Sequence, residues 1–198
     1  MSTPDLPPTG QPGECARYAG AGQVAVAHCG LFPRRPAMGG EQRVLNFRFL
    51  AEPNDVNFGG KVHGGVVMKW IDQVGFAAAS GWSGRYCVTV AVGGIRFVAP
   101  ILIGDVVTVS AKLVYTGKTS MHFAIDVRAR SPVGGASRLC THCIIVFVAM
   151  DDDHATPVSV PCWRPDTADD QRLAEYALKV MELSKGIEDT IAQYQGGG

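Results

Sequence analysis

The run VHGGVVMKWIDQVGFAAAS, Val62 to Ser80, constrains this chain more than any other: it holds no proline, is rich in helix formers and opens on a glycine pair. It predicts the main helix. Between His63 and Ala79, the charged or amide side chains are Lys69, Asp72 and Gln73. At about 100° per residue, Gly65, Lys69, Asp72, Gln73 and Phe76 fall on one side, while Val66, Val67, Trp70, Ile71 and Val74 spread over the rest. Such a helix needs cover on most of its surface.

Strand signals supply that cover. RVLNFRFL, from Arg43, alternates apolar and polar residues, and the turn-rich EPNDVNFGGK ends it. Strand-like runs follow over Tyr86–Phe97, Val106–Tyr115, Ser120–Arg130 and Arg138–Met150. Val107, Val109, Ala111 and Leu113 alternate with Thr108, Ser110 and Lys112; Met121, Phe123, Ile125 and Val127 alternate with His122, Asp126 and Arg128. The turn-type separators predict that consecutive strands are mostly antiparallel neighbours. The order strand, helix, four strands describes an α+β domain whose five-stranded, mostly antiparallel sheet wraps the central helix. Such a sheet keeps open edges, and pairing with a second copy covers them.

The flanks differ from this core. Residues 1–40 are rich in Gly and Pro and are expected to form a flexible arm, in which the GAG at Gly20–Gly22 lacks the context of a dinucleotide loop. The domain is expected over 41–162, followed by a C-terminal helix and tail over 163–198. Leu173, Tyr176, Ala177, Val180 and Leu183 stand there at helical spacing, between about Thr167 and Gln193.

Charge and cysteine usage exclude several functions. Lys plus Arg and Asp plus Glu number 18 each, without a long basic run, so no nucleic-acid partner is expected. No stretch suits a signal peptide or reaches the ~18 apolar residues of a membrane span, so a soluble, cytoplasmic protein without a membrane partner is expected. The six cysteines fit reduced thiols. Cys140, His142 and Cys143 in LCTHC imitate half a zinc site, but residues three apart on a strand point to opposite faces, so no metal is expected. There is no Gly-x-Ser-x-Gly elbow.

The polar stripe of the main helix admits two readings. Lys69 and Asp72, three apart, make a weak surface pair if the stripe faces water. Alternatively Asp72 faces a cleft, and the free amides at the Gly64–Gly65 helix start receive a developing oxyanion. Pattern alone leaves both open.

Resemblance adds to this. PNDVNFGGKVHGGVVMKWID, VTVAVGGIRFVAPILIGDVV and TGKTSM together resemble the hotdog-fold acyl-CoA thioesterases, especially the cytosolic acyl-CoA hydrolases of animals and their single-domain bacterial relatives. HGG followed by Met-x-x-x-Asp, in register with an upstream Asn-x-x-Gly, is the specific part. The resemblance spans Arg43 to about Pro161. It implies hydrolysis of fatty acyl-CoA to free fatty acid and CoA, with CoA present only as part of substrate and product and no other cofactor. It also implies a homodimer with active sites at the interface, assembled further into a hexamer.

By the same resemblance, Asp72 is the catalytic base or nucleophile, the Gly65 amide beside Gly64 is the oxyanion donor, and Asn57 acts from the partner unit. Thr89 and the turn Lys118, Thr119 and Ser120 match stretches lining the CoA path, and His63 stays close to the substrate through its place before the glycine pair. Gln73, where animal relatives often carry an acidic residue, and the pair Gly93–Gly94 depart from the pattern and leave acyl-chain preference open. Two other functions remain: a hotdog hydratase or dehydratase on acyl thioesters, which wants a His with an acidic partner, and a noncatalytic acyl-CoA-binding oligomer.

Overall fold

The computed structural model describes residues 39–195, so the expected arm and its GAG lie outside the described residues. Strand β1 (Val44–Leu50) is followed by a 3-10 turn (Pro53–Asp55) and helix α1 (Gly64–Ser83). Strands β2 (Cys87–Phe97), β3 (Val106–Thr116), β4 (Ser120–Arg130) and β5 (Arg138–Ala149) and helix α2 (Ala168–Gln195) complete the chain. This is the expected fold: one five-stranded antiparallel sheet around α1, with α2 added outside.

The strand order is β1-β3-β4-β5-β2. Sequence neighbours pair at β3–β4 and β4–β5 as expected, but β2 crosses over to pair with β5 and lies at an edge. The crossover follows from the helix. A sheet that curls round α1 brings the strand leaving its C-terminus back along the far side.

Period-two alternation sorts the two faces. Val107, Val109, Ala111, Leu113, Met121, Phe123, Ile125 and Val127 are buried on the inner face with Val67, Trp70, Ile71 and Val74 of α1. Each such side chain adds about 1.5–3 kcal/mol when fully removed from water. Gly75 sets how close helix and sheet come, because a Cβ there would stand 2.6 Å from the Phe147 ring. The helix runs past the expected Ser80 because Trp82 is buried and donates its indole N–H to the Pro161 carbonyl at 3.0 Å. It stops at Gly84, whose φ of 66° is the left-handed closing turn.

The outer face carries α2. Ala177 and Val180, with Leu173, pack on Val114, Ala124 and Ile144. At the helix start, Asp170 accepts from the two terminal guanidinium nitrogens of Arg43, at 2.6 and 2.7 Å, and faces the Lys112 ammonium at 3.2 Å. Arg43, in turn, lies over the Trp163 ring. Hydrogen bonds from Arg43, then from Lys112, hold the Asp170 carboxyl well below the usual carboxylate range.

One expectation fails. Cys140 and Cys143 do not point to opposite faces; both belong to the inner core. The ladder pairs Val127 with Thr141 and Arg128 with Leu139, so Cys140 is an extra residue that flips the alternation. Burial raises both thiols, Cys143 to about 12, as befits structural cysteines.

Candidate active site

The polar stripe emerges where the sheet stops. Lys69, Asp72 and Gln73 are exposed on α1, while the residues around them are buried. Asp72 is not paired with Lys69. Its Oδ1 accepts a hydrogen bond of 2.5 Å from the Thr89 hydroxyl on β2. Cys87 is buried on the inner face, and Thr89, two residues on, shares that face. A bulge at Val90 then shifts the register of β2 against β5. The carboxylate is thus oriented by a strand hydroxyl and open to water at the edge of the sheet.

A second group of residues gathers at the start of α1. His63 occupies the N-cap without a side-chain capping bond, and its own amide donates to the Asp55 carbonyl at 2.9 Å. The amides of Gly64 and Gly65 have no acceptor among the described residues, as the first turn of a helix dictates. A Cβ on Gly65 would meet nothing within 4 Å, whereas one on Gly64 would touch the Phe97 ring at 3.5 Å. The backbone at Gly65 therefore borders open space.

Asn57 stands beside them in a tight turn. Its Oδ1 accepts from the amides of Gly59 at 3.0 Å and Lys61 at 3.3 Å, and its carbonyl accepts from Gly60, whose φ is +68°. With the side-chain oxygen engaged inside the turn, the carboxamide N–H₂ is the group free to act outward, as a donor and never as a base. Asn57 and Gly64 share a cleft of about 330 Å³ with Lys61, Phe97, Ile101 and Thr141. Buried Asp105 accepts from the Leu102 amide and pairs with Arg138, fixing the loop that carries Ile101.

The sequence did not point to Phe97, Ile101 or Thr141. Thr141 is buried and its hydroxyl has no partner among the described residues. It faces the cleft from the inner face, in the same alternation as Cys143, Ile145 and Phe147.

The other expected residues lie elsewhere. Lys118, Thr119 and Ser120 form the β3–β4 turn, closed by Gly117 donating to the Ser120 carbonyl at 2.9 Å. Ser120 pairs with Val148 and Thr89 with Phe147, so this turn sits at the Thr89 end of the sheet, away from the Asn57 cleft. Gly93 lies under α2, where a Cβ would collide with Val180 at 2.6 Å. Its smallness serves the docking of α2.

A histidine–carboxylate pair does exist: His142 Nδ1 lies 2.6 Å from Asp126 Oδ1, and that contact lowers the Asp126 carboxyl. It stands on the outer face beside Tyr176 of α2, with the sheet between it and the cleft. No group of three metal-ligating side chains occurs among the described residues, and no described helix is long and apolar enough to cross a membrane.

The chain is similar to known proteins. The thioesterase superfamily matches residues 59–136. Protein VdlD of Helicobacter pylori is 30% identical over 142 residues, covering 70% of this chain and 79% of its own length. The acyl-CoA thioester hydrolase YciA of Salmonella typhimurium is 35% identical over 116 residues, 57% of this chain and 86% of its own length. Among solved structures, an apo-hexameric acyl-CoA thioesterase superposes with a TM-score of 0.70 at 27% identity, over 76% of this chain and 96% of its own.

Proposed function

The chain belongs to the thioesterase superfamily, alongside its acyl-CoA thioester hydrolases, and on that footing we propose that it cleaves fatty acyl-CoA to a carboxylic acid and CoA with Asp72 as general base. The observation that carries this reading is the solvent-open Asp72 carboxylate held by the Thr89 hydroxyl on a largely apolar helix. A carboxylate with one oxygen fixed presents the other to a water molecule.

In the proposed reaction, a water oxygen bonds to the thioester carbon as its proton passes to Asp72. The carbonyl electrons move onto oxygen, where the Gly65 amide at the positive end of α1 receives them, with Gly64 leaving room for the approach. Collapse of the intermediate breaks the C–S bond, and the proton on Asp72 leaves with the CoA sulfur. Asn57 orients the water or the carbonyl through its N–H₂ donor.

One chain divides this machinery into two parts. Seven residues of helix separate Gly65 from Asp72, about 10 Å at 1.5 Å per residue, whereas base and oxyanion donor each work at about 3 Å from the reacting atoms. Asp72 and Thr89 of one chain are therefore proposed to face Asn57, Gly64 and Gly65 of a second copy across the β2 edge. That edge exposes Val90, Phe97 and Val98, each more than half accessible, as an apolar surface for the partner. Further assembly into a hexamer, the state named for the superposed thioesterase, is part of the same proposal. His63 and the Lys118–Ser120 turn are assigned to CoA: the turn offers an ammonium and hydroxyls, suited to phosphate.

A thiol-release assay over a chain-length series of acyl-CoAs tests the reading. Hydrolysis frees one thiol per turnover, hydration of an enoyl-CoA frees none, and a binding protein shows saturation without turnover; either of the last two outcomes sinks it. Mixing Asn57→Ala with Asp72→Ala chains tests the shared site. Activity should return under subunit exchange.

A further inference from the structure

Helix α2 carries an apolar stripe that is only half used. Leu173, Ala177, Val180, Ser184, Ile187, Ile191 and Tyr194 recur at alternating spacings of four and three, one continuous seam on a helix. Leu173, Ala177 and Val180 pack on the outer face of the sheet, and Ser184 lies over Gly93 of β2. Beyond that point the seam goes on exposed among the described residues. Ile187 is 61% accessible, Ile191 48% and Tyr194 89%.

The direction of α2 says what belongs there. Its first turn holds Asp170, tied to Arg43 and to Lys112 on β3, and the helix passes over β4 and β5 before reaching β2. From Asp170 to Ser184 is about 21 Å of helix, laid over the three spacings of about 4.8 Å between β3 and β2. The crossing is oblique, and β2 is the edge of the sheet. From Ser184 to Gln195 the helix runs on for about 16 Å, enough at the same slant to overlie two more strands. A soluble helix that leaves its sheet with its apolar seam still facing down fits a sheet that continues.

We infer that the overhang of α2, with Ile187, Ile191 and Tyr194, docks on the outer face of a second copy joined at the β2 edge, clasping the dimer from the side opposite the active sites. The inference rests on the reading that a second copy meets this chain along β2, and it adds a separate contact to that junction. The exposed Val90, Phe97 and Val98 of the β2 edge and the overhang lie at the same border of the molecule, so one partner covers both. By twofold symmetry each chain gives and receives one overhang.

The test is the triple variant Ile187→Ser, Ile191→Ser, Tyr194→Ser in the full chain, measured by sedimentation without substrate. The dimer dissociation constant should rise at least tenfold while helix content is kept, and Leu178→Ser, off the seam, should leave it unchanged. Hydrogen exchange should show the amides of 186–195 protected in the dimer and unprotected on dilution to monomer. An unchanged dissociation constant overturns the inference. So does protection that persists in the monomer, that vanishes when residues 1–38 are removed, or that appears only on phosphatidylcholine–phosphatidylglycerol vesicles. Because sedimentation needs no turnover, the clasp fails or stands separately from the hydrolase reading, which thiol release by the wild type decides.

Discussion

Helices α1 and α2 cross the same sheet on opposite faces, and polar groups mean different things on the two sides. Inside, α1 touches all five strands, and the polar Asp72 is admitted only where the sheet ends and water reaches it. Outside, polar groups are fasteners: Arg43 and Lys112 grip Asp170, and His142 grips Asp126, around a small apolar cluster. An exposed polar group on the inner helix contributes little to holding the fold, so it is free to serve chemistry. A buried one on the outer face has its protonation tied to stability.

The largest expected effect breaks this contrast if it fails. Asp72→Ala should lower turnover by ~10²–10⁴, the usual cost of removing a general base, with an unchanged melting temperature. Near-normal thiol release, or a large loss of stability, contradicts the division.

His122 tests the outer face. It is buried, its Nδ1 has no partner among the described residues, and burial pushes it from 6.5 down to about 4. The folded state thus binds fewer protons than the unfolded chain between these values. Stability is fully present above pH 6.5 and declines as pH falls toward 4, by up to about 3 kcal/mol at 1.36 kcal/mol per unit. Urea melts at pH 5 and 7 should show the decline, and His122→Phe should flatten it.

Gly75→Ala sharpens the inner side. Its new methyl meets the Phe147 ring, itself edge-on to Phe123, and overpacking there should cost about 1–3 kcal/mol in urea melts. Substitution at the exposed Gly65, by contrast, should leave the fold unchanged.

The smallest effect concerns orientation. Thr89→Val removes the hydroxyl that holds Asp72 and should reduce kcat about tenfold, the order of one hydrogen bond to a charged group, with KM unchanged. A rise in KM alone would make Thr89 a binding residue instead.

Much of the fold was legible because period and composition act locally. β4 is found at the expected Ser120–Arg130, and the other strands and α2 differ from expectation by one or two residues at their ends. What escaped was nonlocal: the β2 crossover, the bulges at Val90, Val114 and Cys140, and the extension of α1 through Trp82. A bulge is a mismatch between two strands, and neither strand shows it alone.

The sequence by itself determined a nearly all-apolar helix with one polar stripe, the strands to wrap it, and the registered Asn57, Gly64, Gly65 and Asp72. Tertiary structure decided the rest: that Thr89, not Lys69, holds Asp72, that the Asn57 Oδ1 is engaged inside its own turn, and that β2 lies at the edge. Those facts depend on which residues distant in sequence the curled sheet brings within hydrogen-bonding distance, and only the packed chain sets that distance.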